Sequence, residues 1–283
     1  MSIVLTQYLE TLATERTPLW IDGWDYGQAV LARGGQPPWA DVGEFVAWHR
    51  QLQSLVSSDV VVIELASFYH CWLAQSPALK DAMAAKKRLG YALRTLLADP
   101  ASRAYLREIV EALGSLYSDR PVLLALPSPR QWMAIAYCQA HGVNEVEVSW
   151  DDAESAAMYA ADYLRNFAGC PIAGLLLRDI AGPANDEETA RYQPVLNVAE
   201  HYRWQVVLDG CSGQYRPGPA QGVTYCLADS PGEQRCPKTA LDTWSGPAEF
   251  KPAFWYLQIP PTAVPESVLE SLQAVRADTT TSH

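Results

Sequence analysis

Acidic side chains recur where short apolar runs end in this chain. Asp22 closes Pro18-Leu-Trp-Ile-Asp22, Glu64 closes Asp59-Val-Val-Val-Ile-Glu64, Asp179 follows Leu-Leu-Leu-Arg178, and Asp209 closes Trp204-Gln-Val-Val-Leu-Asp209. Asp25, Asp151 and Asp229 take similar places. Like charges gathered in a half-buried cleft raise one another's pKa, which is how a carboxyl is tuned for proton transfer near neutral pH. This selects Asp22, Asp179 and Asp209 as candidate acids or bases, with Glu64 beside the substrate. The plainer reading is that Asp151 caps a helix and that Asp209 and Asp229 open turns.

Cations and histidines narrow the set. Arg178 and Asp179 are adjacent, so in a strand one side chain faces inward and the other outward. Arg178, and Arg130 after Pro127-Ser-Pro129, are candidates for binding an anionic substrate through the planar guanidinium. His70, just past Glu64, is the first choice for proton transfer, with Tyr69 beside it a candidate for substrate binding, whereas His49, His141 and His201 fall on helical stretches and read as structural or surface residues. Ten tryptophans are present, and Trp24 and Trp150 lie where they would wall a polar mouth against a substrate with an apolar or ring face.

No metal and no cofactor is expected. The six cysteines contain no CxxC pair and read as reduced thiols; Cys211, Cys226 and Cys236 are too dispersed for a compact zinc set. An oxygen-ligand set of Asp22, Glu64 and Asp209 has no motif behind it. GxGxxG, P-loop, GxSxG and HExxH patterns are all absent, which removes the usual support for dinucleotide, nucleotide, serine-hydrolase and zincin chemistry.

These residues need a scaffold that brings strand ends together. Eight apolar runs, at 18–22, 59–64, 121–126, 145–151, 171–179, 204–209, 222–229 and 253–259, have the length of buried parallel strands, and most are followed by helical patterns. Eight is the number that closes a (β/α)8 TIM barrel, whose C-terminal strand ends share one mouth. The expected fold is therefore α/β, a single barrel domain over 1–278 with a flexible tail at 279–283. An N-terminal helix should cover the lower end. The roughly fifty residues between the second and third runs leave room for an extra helix, with helical segments at 78–97 and 102–116. The units following 145–151 and 171–179 read as the most regular. The short Gly- and Pro-rich stretch 210–221 and the weakly patterned 230–252 make the barrel irregular after its sixth and seventh strands.

Composition limits the partners. A formal charge of −11 disfavours nucleic acid and anionic membrane, and Lys86-Lys87-Arg88 reads as a solvated helix face. No window approaches the ~20 apolar residues of a membrane span. The start, Met1-Ser-Ile-Val-Leu-Thr-Gln, lacks the basic opening of an export signal, so the cytoplasm is the expected location. The expected partner is a small-molecule substrate, with a homodimer as the oligomeric option.

The segments Arg120-Pro-Val-Leu-Leu-Ala-Leu-Pro-Ser-Pro-Arg130 and Ile172-Ala-Gly-Leu-Leu-Leu-Arg-Asp179 resemble barrel strands of the superfamily that includes uroporphyrinogen decarboxylase and cobalamin-independent methionine synthase. The resemblance covers about a third of the chain and implies a barrel acting on a carboxylate- or thiol-bearing small molecule. The chain departs from both families. It has no His-x-Cys zinc pair, and Trp20-Ile-Asp-Gly-Trp-Asp-Tyr26 is acidic where the decarboxylases carry arginines.

Three functions follow as expectations. The first is a cofactor-independent lyase, a decarboxylase or related enzyme, acting on a carboxylate-bearing cyclic substrate. The second is a glycoside-type hydrolase with paired carboxylates and stacking tryptophans. The third is a non-catalytic barrel serving as a binding or assembly subunit, whose mouth would be plugged.

Overall fold

Two-residue alternation of inward and outward side chains organises the whole sheet. The computed structural model describes residues 3–211, 215–228, 235–244 and 252–281. Its strands are β1 (Leu19–Asp22), β2 (Val61–Glu64), β3 (Val122–Pro127), β4 (Gly174–Arg178), β5 (Gln205–Asp209), β6 (Tyr225–Ala228), β7 (Arg235–Ala240) and β8 (Trp255–Gln258). All pairings are parallel, in the order β1-β8-β7-β6-β5-β4-β3-β2. One set of side chains fills the interior: Trp20, Leu123, Ala125, Leu176, Val207, Leu227, Cys236, Phe254 and Tyr256 form a buried cluster. The alternate set, including Ile21, Ile63, Leu124, Leu177, Leu208 and Leu257, packs outward in the cluster that also contains the helix faces. This is an α/β barrel of the (β/α)8 type with a filled core.

The two sheet ends, β1 and β2, are joined by side chains as well as backbone. Asp59 N–H donates to the Leu19 carbonyl at 3.0 Å, and the Asp59 carboxylate accepts Leu19 N–H at 2.7 Å. Ser58 Oγ accepts Ile21 N–H at 2.8 Å, and Arg16 forks onto Asp59 at 2.5 and 2.8 Å. These bonds satisfy β1 donors that a neighbouring strand would otherwise take.

The helices are α1 (Leu5–Leu12), α2 (Trp24–Leu31), α3 (Val42–Val56), α4 (Leu65–Gln75), α5 (Pro77–Ala84), α6 (Leu89–Leu97), α7 (Pro100–Leu116), α8 (Pro129–His141), α9 (Trp150–Leu164), α10 (Asp186–Ala190), α11 (Gln193–Tyr202) and α12 (Pro265–Thr281). As expected, α1 closes the lower end: Leu5 and Leu9 enter the interior cluster, and Gln205 at the start of β5 bonds Thr6. Between β2 and β3 stand four helices, α4 to α7, more than the single extra helix expected. Between β5 and β6 the described residues contain only a short 3-10 turn, Pro219–Gln221, which accords with the abbreviated side foreseen there.

Two strand assignments need correction. The run 145–151 is not a strand; its first residues are irregular and Trp150 already begins α9. Glu145 and Glu147 are exposed, and a strand buried on both faces has no place for alternating glutamates. The eighth strand is instead β7, Arg-Cys-Pro-Lys-Thr-Ala, hidden from the apolar pattern by Arg235, Pro237 and Lys238. The regular unit expected after 145–151 is thus a second helix on the β3-to-β4 connection. At the C-terminus α12 runs through Thr281, with Thr279 buried and its carbonyl bonded by Thr17 N–H, so the described part of the expected tail is helical.

Candidate functional site

Each strand that supplies a mouth residue does so at the next inward position above the interior cluster. Trp20 is followed two residues on by Asp22, Val62 by Glu64, Leu176 by Arg178, Val207 by Asp209 and Cys236 by Lys238. Strand alternation therefore aims Asp22, Glu64, Arg178, Asp209 and Lys238 at one another. Their side chains form one network. Arg178 Nη2 donates to Glu64 Oε1 at 2.6 Å and to Asp22 Oδ2 at 3.2 Å, and Arg178 Nη1 donates to the Tyr256 hydroxyl at 3.2 Å and lies 3.7 Å from Asp209. The Tyr256 hydroxyl in turn donates to Asp22 at 2.7 Å. Lys238 Nζ stands 2.9 Å from both oxygens of Asp209.

Burial and charge set the protonation states. For Asp22, burial acts to raise the pKa, but Arg178, the Tyr256 hydroxyl and the Trp24 N–H outweigh it and hold the group below the ordinary carboxylate value. For Glu64, burial wins over Arg178 and the pKa is raised, with Asp22 adding to the rise. Burial also opposes the charge on Arg178, yet Glu64, Tyr256 and Asp22 push its pKa well above the usual value. Burial, followed by Asp22, raises Tyr256, so its proton stays on the phenol. The arrangement contains a permanent cation, an ionised Asp22 and a Glu64 that holds its proton more readily than a free glutamate.

The network borders a cavity of about 750 Å³. Its wall carries Glu64, Asp179 and Asp209 against Arg178, Arg216 and Lys238, with Leu126, Ile135 and Leu227 as apolar surface. A second recess of about 380 Å³ shares Glu64 and Arg178 and adds Asp22, Asp25, Trp24 and His70. Burial, and after it Asp22, raises the pKa of Asp25 there, while Arg178 acts to lower it. The first cavity falls within the size range of small-molecule sites.

The sequence candidates divide. Asp22, Glu64, Arg178 and Asp209 converge as expected. Asp179 is buried and turned toward the helix layer, where it accepts Ser128 Oγ at 2.5 Å, the Tyr192 hydroxyl at 2.6 Å and Ala181 N–H at 3.1 Å. Gly210, at φ +99°, lets the chain pass directly against the Asp179 backbone, where any Cβ would clash. Arg130 lies 3.8 Å from Asp179, donates to the Ala181 carbonyl and sits 4.4 Å over the Trp150 ring. Arg130 and Trp150 thus brace the loop after β4 and are not among the cavity-lining residues. His70 is exposed on α4 at the rim of the smaller recess, where Trp24, largely buried, forms part of the wall. Tyr69 is a correction: it is buried in the helix layer against Phe68, Trp132 and Tyr163, because on α4 it faces away from the mouth. Asp151 lies in the first turn of α9, and Asp229 lies outside the described residues. His49 is buried between the Tyr117 hydroxyl and the Val62 carbonyl, a structural placement as foreseen.

Lys238 and Tyr256 were missed. Tyr256 sits within an apolar run and carries no charge to mark it. Lys238 sits on the overlooked strand, although the spacing Cys236-x-Lys238 matches Leu176-x-Arg178 and Val207-x-Asp209. Among the described residues no group of three or more His, Cys, Asp or Glu side chains is set to hold a metal ion. The carboxylates of the mouth are engaged by Arg178 and Lys238.

No family model matches the chain, and no curated protein does. Among solved structures, 2,3-dimethylmalate lyase, described as a member of the PEP mutase/isocitrate lyase superfamily, matches over 97% of this chain and 84% of its own at 13% identity, with a TM-score of 0.31. The fold assignment rests on the strand order and register given above. No helix among the described residues is long and apolar enough to cross a membrane.

Proposed function

We propose that this barrel is a small-molecule lyase that removes carboxylate, or cleaves a neighbouring carbon–carbon bond, from a compound held in the larger cavity. The observation that carries the reading is Lys238 Nζ, fixed 2.9 Å from both Asp209 oxygens in a wall that also presents Arg178 and Arg216. Bond cleavage next to a carboxylate leaves an electron pair on carbon. An ammonium held at that place stabilises the developing charge and then protonates the carbon, with solvent restoring the proton to lysine. Asp209 positions the ammonium, and Arg178 is held charged by its three acidic neighbours. The apolar wall of Leu126, Ile135 and Leu227 suits the carbon skeleton of a ring. The likeness of 120–130 to strands of the uroporphyrinogen decarboxylase superfamily points the same way.

An acidic mouth would repel an anionic substrate, but with Asp179 turned into the helix layer the two remaining acids of the described lining, Glu64 and Asp209, stand against three bases, Arg178, Arg216 and Lys238. That balance supports a carboxylate ligand. The glycoside-hydrolase reading loses its aromatic platform, since no tryptophan is among the described residues lining the larger cavity.

A ligand-observed NMR screen of small mono- and dicarboxylic acids against neutral sugars tests the reading. Carboxylates should bind wild type and be lost in Lys238→Met. Preferential binding of sugars, or carboxylate binding indifferent to Lys238, would overturn it.

A further inference from the structure

Two of the six cysteines stand in contact across the cavity wall. Cys211 Sγ is 3.6 Å from Cys226 Sγ, and Cys226 Sγ also donates to the Pro217 carbonyl at 3.2 Å. Cys211, two residues beyond Asp209, lines the larger cavity beside Arg216, whereas Cys226 is buried on β6. Cys236, on the neighbouring strand, belongs to the interior cluster, while Cys226 belongs to the outer one, so strand alternation turns the two to opposite faces. Cys71, Cys138 and Cys170 lie on other connections of the barrel.

The geometry points to Cys211 and Cys226 as a thiol pair that closes to a reversible intrachain disulfide by exchange with a small-molecule disulfide entering the cavity. The thiolate of Cys211, the sulfur on the cavity wall, attacks one sulfur of the incoming disulfide. A Cys211 mixed disulfide forms and one thiol leaves. Cys226 then gives up its proton and attacks Cys211 Sγ, the intrachain bond forms, and the second thiol departs. Two protein thiols are oxidised and one external disulfide is reduced to two thiols. Closure requires the sulfurs to approach from 3.6 Å to about 2.05 Å, a small movement for two side chains already in contact.

The order of roles follows from position. The shared hydrogen bond with Cys226 lowers the pKa of Cys211; burial opposes this and Arg216 adds to it. The same hydrogen bond and burial raise Cys226. The thiolate is the nucleophile in exchange, so the partly exposed member on the cavity wall attacks first and the buried one resolves. This pair stands independently of the lyase reading, since neither sulfur takes part in that proposal.

The test is oxidised glutathione added to the full chain, read by thiol counting, intact mass and a non-reducing peptide map. Wild type should fall from six free thiols to four, lose the mass of two hydrogens, show the 211–226 link, and recover all six on reduction. Cys226→Ser should instead accumulate one glutathione on Cys211. Cys211→Ser should give neither product. Six thiols persisting in wild type, a link mapped to other cysteines, or no mixed disulfide in Cys226→Ser would overturn the proposal. The wild-type map decides the matter even where a serine variant folds poorly.

Discussion

Arg178, the last residue of β4, and Glu64, the last residue of β2, meet at 2.6 Å across the mouth of the barrel with β3 between them. The contact is the centre of a network in which one guanidinium touches three carboxylates and a phenol. The consequences of removing either partner differ, and the difference is measurable.

Arg178→Met leaves Asp22 and Glu64 facing each other in a largely buried site, and uncompensated buried charge costs on the order of 3–5 kcal/mol. Glu64→Gln keeps an acceptor for Arg178 and removes a charge that burial already disfavours, so its cost should stay within about 1 kcal/mol. Urea unfolding of the two variants should separate them by several kcal/mol. Equal destabilisation would show that the guanidinium is not the element holding the mouth together.

The seam between β1 and β2 makes a second prediction. Asp59→Ala removes the acceptor for Leu19 N–H and the partner of Arg16. An orphaned buried donor costs roughly 1–3 kcal/mol. Hydrogen exchange should accelerate first at the Leu19 amide, with β4 and β5 protected as before. Uniform loss of protection over all strands would argue that this seam does not open locally.

His49 supplies a pH dependence with a definite sign. Burial lowers its pKa from 6.5 to about 4. Its folded value lies below the unfolded one, so its stabilising contribution is present above pH 6.5 and is lost as pH falls toward 4. The shift corresponds to roughly 3 kcal/mol. Glu64 acts oppositely: its pKa is raised, so its contribution is full below the ordinary carboxylate range and is lost as pH rises through its folded value. NMR titration of the ring should show His49 neutral until about pH 4; a midpoint near 6.5 would contradict the packing described.

The barrel was legible because parallel strands covered on both faces leave continuous apolar runs, as in Val122–Pro127 and Gly174–Arg178. The count of eight was reached through two compensating errors. Glu145-Val-Glu-Val imitates a strand by alternation while lying outside the sheet. Arg235-Cys-Pro-Lys-Thr-Ala conceals one, because the mouth demands a lysine and the sheet tolerates Pro237. Strand-end charge located Asp22, Glu64, Arg178 and Asp209, since charge inside a barrel is affordable only at its rim. Tyr69 misled because proximity to Glu64 in sequence does not survive the start of α4, whose rotation carries the ring into the helix layer.

The lyase account predicts a division of labour between Lys238 and Asp209. Lys238→Met should abolish turnover, whereas Asp209→Asn, which loosens the ammonium without removing it, should lower kcat by about 10²–10⁴-fold, the usual range for a displaced proton donor. Steady-state kinetics on both variants reads this directly. An Asp209→Asn enzyme with unchanged kcat would mean that the pair is only structural.

The central claim meets its most direct test in carbon-13 NMR of the intact protein with carboxylic acids that bind the cavity, labelled at the carboxyl carbon. The account predicts that wild type moves the label out of the starting acid, into carbon dioxide and bicarbonate or into the carboxyl group of a shorter acid, and that Lys238→Met, folded and otherwise intact, does not. Label that stays in the unchanged starting acid for every acid that binds, or that leaves it equally in the variant, would contradict it.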